Sequence, residues 1–444
     1  MWEAIQIKFR YRPVVATDID SNVTCSDSLP IITSFKPKHG YGPIAAGIKD
    51  TLIINGLNFT DTGSVWFRNA DTLVKYGRVY EYDIMKWNDT LIELVLPGTL
   101  YPDNGPPGTG EFFMKNGNGD TASSPEEIDI PFCAGSVRGL EYDVRFYLSD
   151  VNNNGGIDLF IDSSFYNINM GEECIRSALD EWRCNTLVNF ILKDSIVDID
   201  PTDLIDSVSS ISFVPPSMMS NPNKIAETYS IISDRTAICS GPNSTIGRHV
   251  FEVDILVRND INWFIDTLTS IGNNQRVDLI STLVHELGHA HLLKHALKDD
   301  KIMYFLIPRD TIKRSVDQDD ILGGRTILED GRSQIYFSCD YNAMEDSIFS
   351  FCTFPNGVAN KMSKQDILIY PNPTSNSFII ESIEKQHIKS WVNVYDSKGR
   401  RVISEKMKTS RKSIDIRGLA KGLYIVRLTS LRDGFQYSTK LLIQ

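Results

Sequence analysis

The sequence lacks several features that would each point to a particular function. None of its seven cysteines forms a C-x-x-C pair, which argues against a thiolate zinc site and a dithiol redox motif. No stretch approaches the roughly 18 consecutive apolar residues of a transmembrane helix, so we expect no membrane span. The net charge of −12 also disfavours nucleic acid as a partner.

The residues that report on the cellular compartment leave two possibilities open. The first twelve residues lack the apolar core and small-residue cleavage site of a signal peptide, so either the protein is cytoplasmic or the recorded start lies downstream of the true one. The scattered cysteines fit either buried thiols or disulfides. In an oxidising compartment, the pairs to test first are Cys339 with Cys352 and Cys184 with Cys239.

The sequence does contain enough apolar residues for several folded domains. Its 444 residues are 41% hydrophobic and 10% aromatic, and at roughly 150 residues per domain we expect about three. The charge is unevenly distributed: residues 361–444 carry 16 lysines and arginines against 7 acidic residues, although the whole chain is acidic. This asymmetry indicates a separate C-terminal module.

Residues 30–130 have the pattern of an all-β domain. Short β-branched runs at 50–56, 63–67 and 91–97 are separated by Gly, Pro and Asn turns, which predicts a β-sandwich. The phrases I-T-S-F-K-P-K-H-G, N-G-L-N-F and W-N-D-T in this region resemble those of IPT/TIG domains. The resemblance implies an immunoglobulin-like module that serves as a spacer or a binding unit.

Residues 131–360 mix helix and strand signals. Apolar side chains with helical spacing predict a helix over residues 170–182, and strict alternation over 249–257 predicts a half-buried strand. Residues 150–158 begin like a calcium-binding EF-hand loop, but the twelfth position of that loop is Ile161 instead of Glu. We therefore predict a β-hairpin turn rich in Asn and Gly.

Residues 361–444 return to β character, with strands predicted near 392–400 and 419–428. The P-N-P entry, the Y-D-x-x-G-R turn, the L-x-x-G-L-Y strand and the K-L-L-I-Q end resemble the sorting domain of type IX secretion cargo in Bacteroidetes-type bacteria. The resemblance implies the type IX secretion machinery as a partner and a secreted or cell-surface location. Since such cargo carries a signal peptide, we expect the recorded start to be truncated.

Four of the seven histidines fall within residues 285–295, in the run H-E-L-G-H-A-H-L-L-K-H. A helix predicted over residues 279–293 brings His285 and His289 onto one face, because residues four apart lie one above the other. Both side chains can then bind one metal ion, while Glu286 reaches the water bound to it. The run therefore predicts the metal site of a hydrolase.

Two further residues extend this motif. His295 stands at the third-ligand position of H-E-x-x-H-x-x-G-x-x-H, and Met303 follows where the metzincin pattern has its Met-turn. The segment is similar to metzincins, and to matrixins in particular. The resemblance implies a zinc endopeptidase with His285, His289 and His295 as ligands of Zn²⁺. Glu286 would take a proton from the zinc-bound water and pass it to the leaving amine.

One position departs from that pattern. The glycine that ends the metzincin helix in a left-handed turn is replaced by Leu292, and a leucine with positive φ costs on the order of 1 kcal/mol. If the helix continued instead, His295 would lie nearly three turns from His285 and out of reach of the metal. The third ligand would then come from elsewhere, with Glu329 or Glu345 as candidates.

Other residues near the motif have predicted supporting roles. His291 points to a different face from His289, which predicts a packing or supporting role. Tyr304 is expected to pack, and Met303 to support the site without binding metal. Residues 224–229 stand where matrixins carry the edge strand that pairs with substrate, with an ordinary strand of the sheet core as the alternative. Residues 316–322 are expected to form a closing helix.

The expected fold is a multidomain chain with an α+β metzincin-like protease domain between two all-β immunoglobulin-like sandwich domains. Its predicted parts are an N-terminal segment (1–29), an IPT/TIG domain (30–130), a zinc metalloprotease domain (131–360) and a sorting domain (361–444). The predicted function is a secreted zinc-dependent endopeptidase that acts on proteins or peptides. A zinc hydrolase with a non-histidine third ligand and a cell-surface adhesin with an inactive protease-like domain are the alternatives.

Overall fold

The chain is mostly β, with few helices. The computed structural model describes residues 29–40, 43–138, 143–166, 171–198, 200, 205–232, 248–265, 275–335, 342–347, 367–382, 390–396, 401–430 and 436–444. Apart from Leu29, the predicted N-terminal segment lies outside these residues. No helix among the described residues is long and apolar enough to cross a bilayer.

The N-terminal region contains two antiparallel four-stranded sheets. Its strands are β1 (Ile31–Pro37), β2 (Thr51–Leu57), β3 (Gly63–Asn69), β4 (Tyr76–Arg78), β5 (Ile84–Asn88), β6 (Leu91–Val95), β7 (Pro107–Asn116) and β8 (Thr121–Ser123). One sheet has the order β1-β2-β6-β5 and the other β4-β3-β7-β8. The strands predicted near 50–56, 63–67 and 91–97 are confirmed.

The two N-terminal sheets share one hydrophobic core. Alternate side chains of a strand point to the same face, and Leu52 and Ile54 of β2 are fully buried in this way. Val65 and Phe67 of β3 are buried from the opposite sheet, and Phe112 of β7 packs against Phe67 with ring centroids 5.2 Å apart. The alternation in the sequence therefore determines which face of each sheet is buried.

The central region combines a mixed sheet with helices. The strands are β9 (Ser136–Arg138), β10 (Asp143–Leu148), β11 (Ile157–Asp162), β12 (Phe190–Val197), β13 (Ser210–Val214), β14 (Ala226–Ile232), β15 (Arg248–Arg258), β16 (Trp263–Phe264) and β17 (Val277–Asp278). The helices are α1 (Ser163–Tyr166), α2 (Gly171–Thr186), α3 (Leu279–Ala290) and α4 (Gln318–Ile335). The sheet order is β12-β11-β13-β15-β10-β9, and β14 pairs antiparallel with β15.

Helix α3 lies at the centre of this region. All of its residues except His289 are buried, as expected of a helix surrounded by protein. Its first turn is capped by Asp278, which accepts a hydrogen bond from the backbone of Ser281 at 3.0 Å. Helix α2 is fixed to it because the indole of Trp182 donates to the carbonyl of Val284 at 2.7 Å. The helices predicted over 170–182 and 316–322 are confirmed by α2 and α4, whereas the helix predicted over 279–293 ends three residues earlier, at Ala290.

The prediction that residues 249–257 form a half-buried strand is wrong in one respect. β15 is buried on both faces, because Glu252, Asp254 and Leu256 are buried as well as the apolar side chains between them. The two carboxylates accept backbone hydrogen bonds, Glu252 from Ser207 at 2.9 Å and Asp254 from Ser210 at 3.1 Å. Hydrogen-bonded acidic side chains can be buried, so polar alternation did not indicate a solvent-exposed face.

The hairpin predicted at residues 150–158 is also wrong. β10 pairs with β9 and β15, whereas β11 pairs with β12 and β13, so the strands on either side of the loop do not pair with each other. The loop itself is tight, because the carboxylate of Asp150 accepts hydrogen bonds from the backbone of Asn154 and Gly155, both at 3.0 Å. The Asn and Gly residues account for the tight loop, but they do not determine whether the two strands that it connects pair with each other.

The C-terminal region again has two sheets around one core. Its strands are β18 (Ile367–Tyr370), β19 (Ser377–Ser382), β20 (Ser390–Tyr395), β21 (Arg401–Met407), β22 (Arg411–Asp415), β23 (Gly422–Ser430) and β24 (Gln436–Ile443). The sheets have the orders β18-β19-β22 and β21-β20-β23-β24. Phe378, Val394 and Val426 are fully buried in the shared core. The strands predicted near 392–400 and 419–428 are confirmed.

The cysteines are only partly accounted for. Cys184 is disulfide-bonded, while Cys133 and Cys174 are buried and form no disulfide. The other four, Cys25, Cys239, Cys339 and Cys352, lie outside the described residues. The predicted pairings therefore stay predictions.

Candidate metal centre

Three histidines converge at the end of helix α3. His285 and His289 lie one turn apart on the helix, and His295 returns to face them from the following turn. One ring nitrogen from each lies within 4.8 Å of the others, and the Nε2 atoms of His289 and His295 are 3.2 Å apart. The structure thus brings together the three residues that the sequence predicts as metal ligands.

The turn that returns His295 is built without its usual glycine. Leu292 has φ 67°, in the left-handed region. The amide of Leu293 donates to the carbonyl of Gly288 at 2.9 Å, and that of Leu292 donates to His289 at 2.8 Å. These two bonds form a Schellman motif with a leucine at the position that glycine usually occupies. The alternative of a continuing helix is therefore wrong.

Each histidine is oriented through its Nδ1 atom. The acceptors are the carbonyl oxygen of Ile302 for His285 at 2.7 Å and the carbonyl oxygen of Leu293 for His289 at 2.8 Å. For His295 the acceptor is a carboxylate oxygen of Asp71, at 2.7 Å. Because each Nδ1 faces an acceptor, we assign the ring proton to Nδ1, which leaves the Nε2 lone pair available for a metal.

One separation within the cluster matches that expected for a tetrahedral zinc ion, while the three ligand nitrogens together lie within 4.8 Å of one another. With Zn–N bonds of about 2.0–2.1 Å, two nitrogen ligands of a tetrahedral site lie about 3.3 Å apart. The Nε2 atoms of His289 and His295 approach that separation at 3.2 Å. Since both present lone pairs to each other, their close approach is unfavourable unless a cation lies between them. Imidazole is a good ligand for zinc.

Burial keeps the two helical histidines neutral, which is the form that binds metal. It lowers the pKa of the His285 imidazole to about 3 and that of the His289 imidazole well below its usual value. Burial also raises the pKa of the Glu286 carboxyl to about 7, although a hydrogen bond from Thr228 opposes the increase. The two neutral imidazoles can therefore bind a cation, and the Glu286 carboxyl can exchange a proton near neutral pH.

Met303 packs against the helix that carries His285 and His289. It is buried, and its sulfur packs so closely against Gly288 that a Cβ at Gly288 would overlap it. The same Cβ would lie 2.9 Å from Cζ2 of Trp182. The glycine within the helical motif is therefore required by packing. Met303 is placed where the sequence predicted a supporting residue.

The chain carries a matrixin domain. Residues 226–328 match the family model described as matrixin, and this range contains all three histidines, Glu286 and Met303. Residues 368–444 match the model described as secretion system C-terminal sorting domain. The second match indicates a protein that is sorted for secretion. No curated protein matches the chain.

Three solved structures show distant likeness to the chain. A DUF3244-family protein with an immunoglobulin-like β-sandwich fold, from Bacteroides vulgatus, is 12% identical over 18% of this chain and 84% of its own. PorZ, a type-IX secretion system component of Porphyromonas gingivalis, is 15% identical over 18% and 12%. Latent PorU from the same organism is 12% identical over 94% and 34%. Each TM-score is 0.16, so none establishes a shared fold.

The other predicted residues of the matrixin domain lie away from the metal ligands. His291 is buried and its Nε2 lies 2.9 Å from the hydroxyl of Thr186, which agrees with a packing role. Tyr304 is also buried, and its ring packs beside Phe305. The candidates for an alternative third ligand are engaged elsewhere.

Those candidates are Glu329 and Glu345. Glu329 pairs with the guanidinium of Arg332 at 2.9 Å, and Glu345 lies beside Gly155 in the loop between β10 and β11. Neither belongs to the cluster that could hold a metal among the described residues. His295 is therefore the third ligand candidate that the structure supports.

An open cleft of about 790 Å³ leads to the histidines. Strand β14 forms one side, with Ala226 and Thr228 among the lining residues, and Phe305 and Leu306 line it after Met303. Strand β14 pairs with β15, and no other described strand pairs with its second edge. The cleft can accommodate an extended chain alongside that edge.

Sequence reasoning missed two residues of the site, Thr228 and Asp71. Thr228 lies in the predicted edge strand, but its hydrogen bond to Glu286, at 2.7 Å, spans 58 positions of the sequence. Asp71 lies 224 positions from His295 and outside the matrixin match. No local pattern in the sequence predicts either contact, because both depend on how separate parts of the chain pack together.

Proposed function

We propose that the chain is a secreted zinc-dependent endopeptidase in which His285, His289 and His295 bind Zn²⁺. The observation that carries the proposal is the convergence of these three imidazoles, whose ring nitrogens lie within 4.8 Å of one another, inside the matrixin match. The buried carboxylate of Glu286 lines the same cleft. A metal site beside a carboxylate in an open cleft is suited to peptide hydrolysis.

In this proposal Glu286 acts as the general base. Zinc, when bound, would lower the pKa of a coordinated water to about 7 and polarise the substrate carbonyl. Glu286 then accepts the proton of the attacking water and transfers it to the leaving amine. The hydroxyl of Thr228 orients the Glu286 carboxylate, and Met303 supports the helix from below.

The open edge of β14 supports an extended substrate. A peptide that adds to this edge forms backbone hydrogen bonds whatever its sequence, so preference would come from side-chain pockets. Phe305 and Leu306, which line the same cleft, would contribute apolar contacts to such a pocket. The proposed substrates are therefore proteins or peptides bound in an extended conformation.

The proposal extends to the whole chain. We infer an α+β metzincin-like protease domain (131–360) between an IPT/TIG immunoglobulin-like domain (30–130) and an immunoglobulin-like sorting domain (361–444). The sorting-domain match supports delivery by the type IX secretion machinery to the cell surface or the medium. The two-sheet cores of both flanking regions support sandwich folds.

The experiment compares the full chain with a Glu286→Gln variant. Zinc content is measured by mass spectrometry, and cleavage of casein is followed with and without a chelator. We expect one zinc per chain in both proteins, with cleavage slower by about 10²–10⁴-fold in the variant, the usual contribution of a general base. Glu172→Gln, in an exposed ion pair with Arg176 on α2, is the matched control.

Two outcomes would contradict the proposal. A wild-type chain that holds zinc without cleaving casein or a panel of unfolded proteins would indicate a binding module with an inactive protease-like domain. A His295→Ala variant that retains full zinc content would exclude His295 as a ligand and favour a hydrolase with a different third ligand.

A further inference from the structure

The N-terminal sandwich contacts the turn that carries the third histidine. The amide of Gly135 donates to the carbonyl of Leu292 at 2.7 Å, and the amide of Lys294 donates to Cys133 at 2.9 Å. Cys133 in turn belongs to a segment that bridges to Ala46 of the sandwich. The turn after α3 is therefore held by a short strand-like segment continuous with the sandwich.

Side chains reinforce this contact on both sides of His295. The ammonium group of Lys294 donates to the carbonyl of Gly98 at 3.0 Å, and that of Lys298 pairs with Asp129 at 2.6 Å. Gly98 and Asp129 both belong to the N-terminal region. His295 thus lies in a segment whose neighbours at both ends are fixed to the sandwich.

Asp71 is the residue of the sandwich that reaches the histidine itself. It follows strand β3 in a turn fixed by Asn69, whose side-chain oxygen accepts the backbone amide of Asp71 at 2.9 Å. The amide of Ala70 donates to Pro106 at 2.9 Å. A turn held at these points presents the Asp71 carboxylate in a defined position, 2.7 Å from Nδ1 of His295.

We propose that Asp71 is a positioning residue for the metal ligand His295, so that the N-terminal sandwich completes the metal centre. The inference rests on the proposed zinc site. A carboxylate that accepts the Nδ1 proton fixes the tautomer and ring orientation of a histidine ligand and increases its basicity toward the metal. The sandwich is then part of the catalytic unit and does not act as a tethered spacer.

His295 has more need of such a partner than the other two ligands. His285 and His289 project from a buried helix, and their Nδ1 atoms face backbone carbonyls. His295 projects from an irregular turn, and the acceptor for its Nδ1 proton is the side chain of Asp71, in the turn after β3 of the sandwich. The loss of Asp71 would therefore free one ligand while leaving two in place.

The test measures metal binding directly, in the full chain. Metal is removed, and the affinities for Zn²⁺ and Co²⁺ are measured by competition with a chromogenic chelator for wild type, Asp71→Ala and Asp71→Asn. We expect Asp71→Ala to bind zinc about 10–100-fold more weakly, the usual effect of losing such a partner. Asp71→Asn keeps an acceptor oxygen but not the charge, so its zinc affinity should lie between those of wild type and Asp71→Ala.

The visible spectrum of the Co²⁺ form gives a second readout, because it reports ligand geometry. It should change in Asp71→Ala and remain unchanged in Asp103→Asn, a control that removes a carboxylate exposed on the same sandwich and paired with Lys75. Thermal unfolding of the metal-free variants, which should match that of wild type, separates lost positioning from lost folding.

The outcomes distinguish this inference from the proposed function. An Asp71→Ala variant with wild-type zinc affinity and an unchanged cobalt spectrum would overturn the role of Asp71, even if the wild type cleaves protein. Weakened zinc binding in a chain that cleaves nothing would support Asp71 and reject the endopeptidase. A wild type with no affinity for either metal would overturn both.

Discussion

The hydroxyl of Thr228 on strand β14 lies 2.7 Å from the Oε2 atom of Glu286 on helix α3. The same hydroxyl lies 3.0 Å from the backbone carbonyl of Glu286. A hydroxyl has one proton, so it donates to one of these acceptors at a time. In either case it ties the helix to the edge strand, so the strand that would align a substrate also positions the proposed base.

Replacing Thr228 with valine removes this hydroxyl and keeps the branched shape. A hydrogen bond to a charged group contributes about 1.5–3 kcal/mol, so we expect kcat to fall by about 10–100-fold. Zinc content should not change, because Thr228 does not contact the histidines. Thr228→Ser should restore most of the activity. Wild-type kcat in Thr228→Val, measured on a peptide substrate, would show that the contact has no catalytic role.

Replacing Gly288 with alanine should destabilise the matrixin domain. The added Cβ would overlap the sulfur of Met303 and crowd Trp182, and overpacking of this kind costs about 1–3 kcal/mol. The free energy of unfolding can be measured in urea. The double variant Gly288→Ala/Met303→Ala should be more stable than the two single effects predict, because it removes the overlap; strict additivity would mean that the clash is not the cause.

Substitutions at Leu292 should follow an unusual order. Glycine relieves a backbone strain of about 1 kcal/mol at φ 67°, but it loses a buried side chain whose burial contributes about 1.5–3 kcal/mol. We expect Leu292→Gly to be destabilised by roughly the difference of these two effects. Leu292→Ala loses the side chain and retains the strain, so it should unfold at a lower urea concentration than the glycine variant. The reverse order would contradict a strained turn.

Asp254 should make the stability of the protein depend on pH. Burial, together with the charges of Glu252 and Asp206, raises the pKa of its carboxyl to about 7, against an opposing hydrogen bond from Ser210. Because the unfolded chain ionises first, near pH 4, the folded state loses stability as pH rises from about 4 to about 7. The free energy of unfolding should fall by up to about 1.4 kcal/mol per pH unit in this range, because the folded chain holds one more proton than the unfolded chain.

The Asp254→Asn variant provides the comparison, since its side-chain oxygen can still accept from Ser210. Urea unfolding of the metal-free chain at several values between about pH 5 and pH 8 should show a shallower pH dependence in the variant, with a gain in relative stability toward high pH. Parallel curves for the two proteins would show that Asp254 ionises as it does in the unfolded chain.

Predictions from the sequence succeeded where the determining contacts are local. The helical spacing in residues 170–182 gave α2, and the strand patterns near 50–56 and 419–428 gave strands in the expected places. They failed where the structure depends on which strands pair with each other, or on whether another segment covers one face of a strand. β15 is buried on both faces because the chain near Ser207 covers its acidic side, and the Asn- and Gly-rich loop at 150–158 joins strands that do not pair.

The sequence by itself indicated three ligand candidates, the adjacent Glu286 and the supporting Met303, but it left open whether the helix turns at Leu292. The pitch of one helix brings His285, Glu286 and His289 together. His295 and Met303 were indicated by the resemblance to the metzincin motif, which spans fewer than about twenty residues. Only the tertiary structure decided that Thr228 holds Glu286 and that Asp71 faces His295. Both contacts join segments distant in sequence, and side-chain distances across such segments depend on how sheets and helices pack, which no local periodicity encodes.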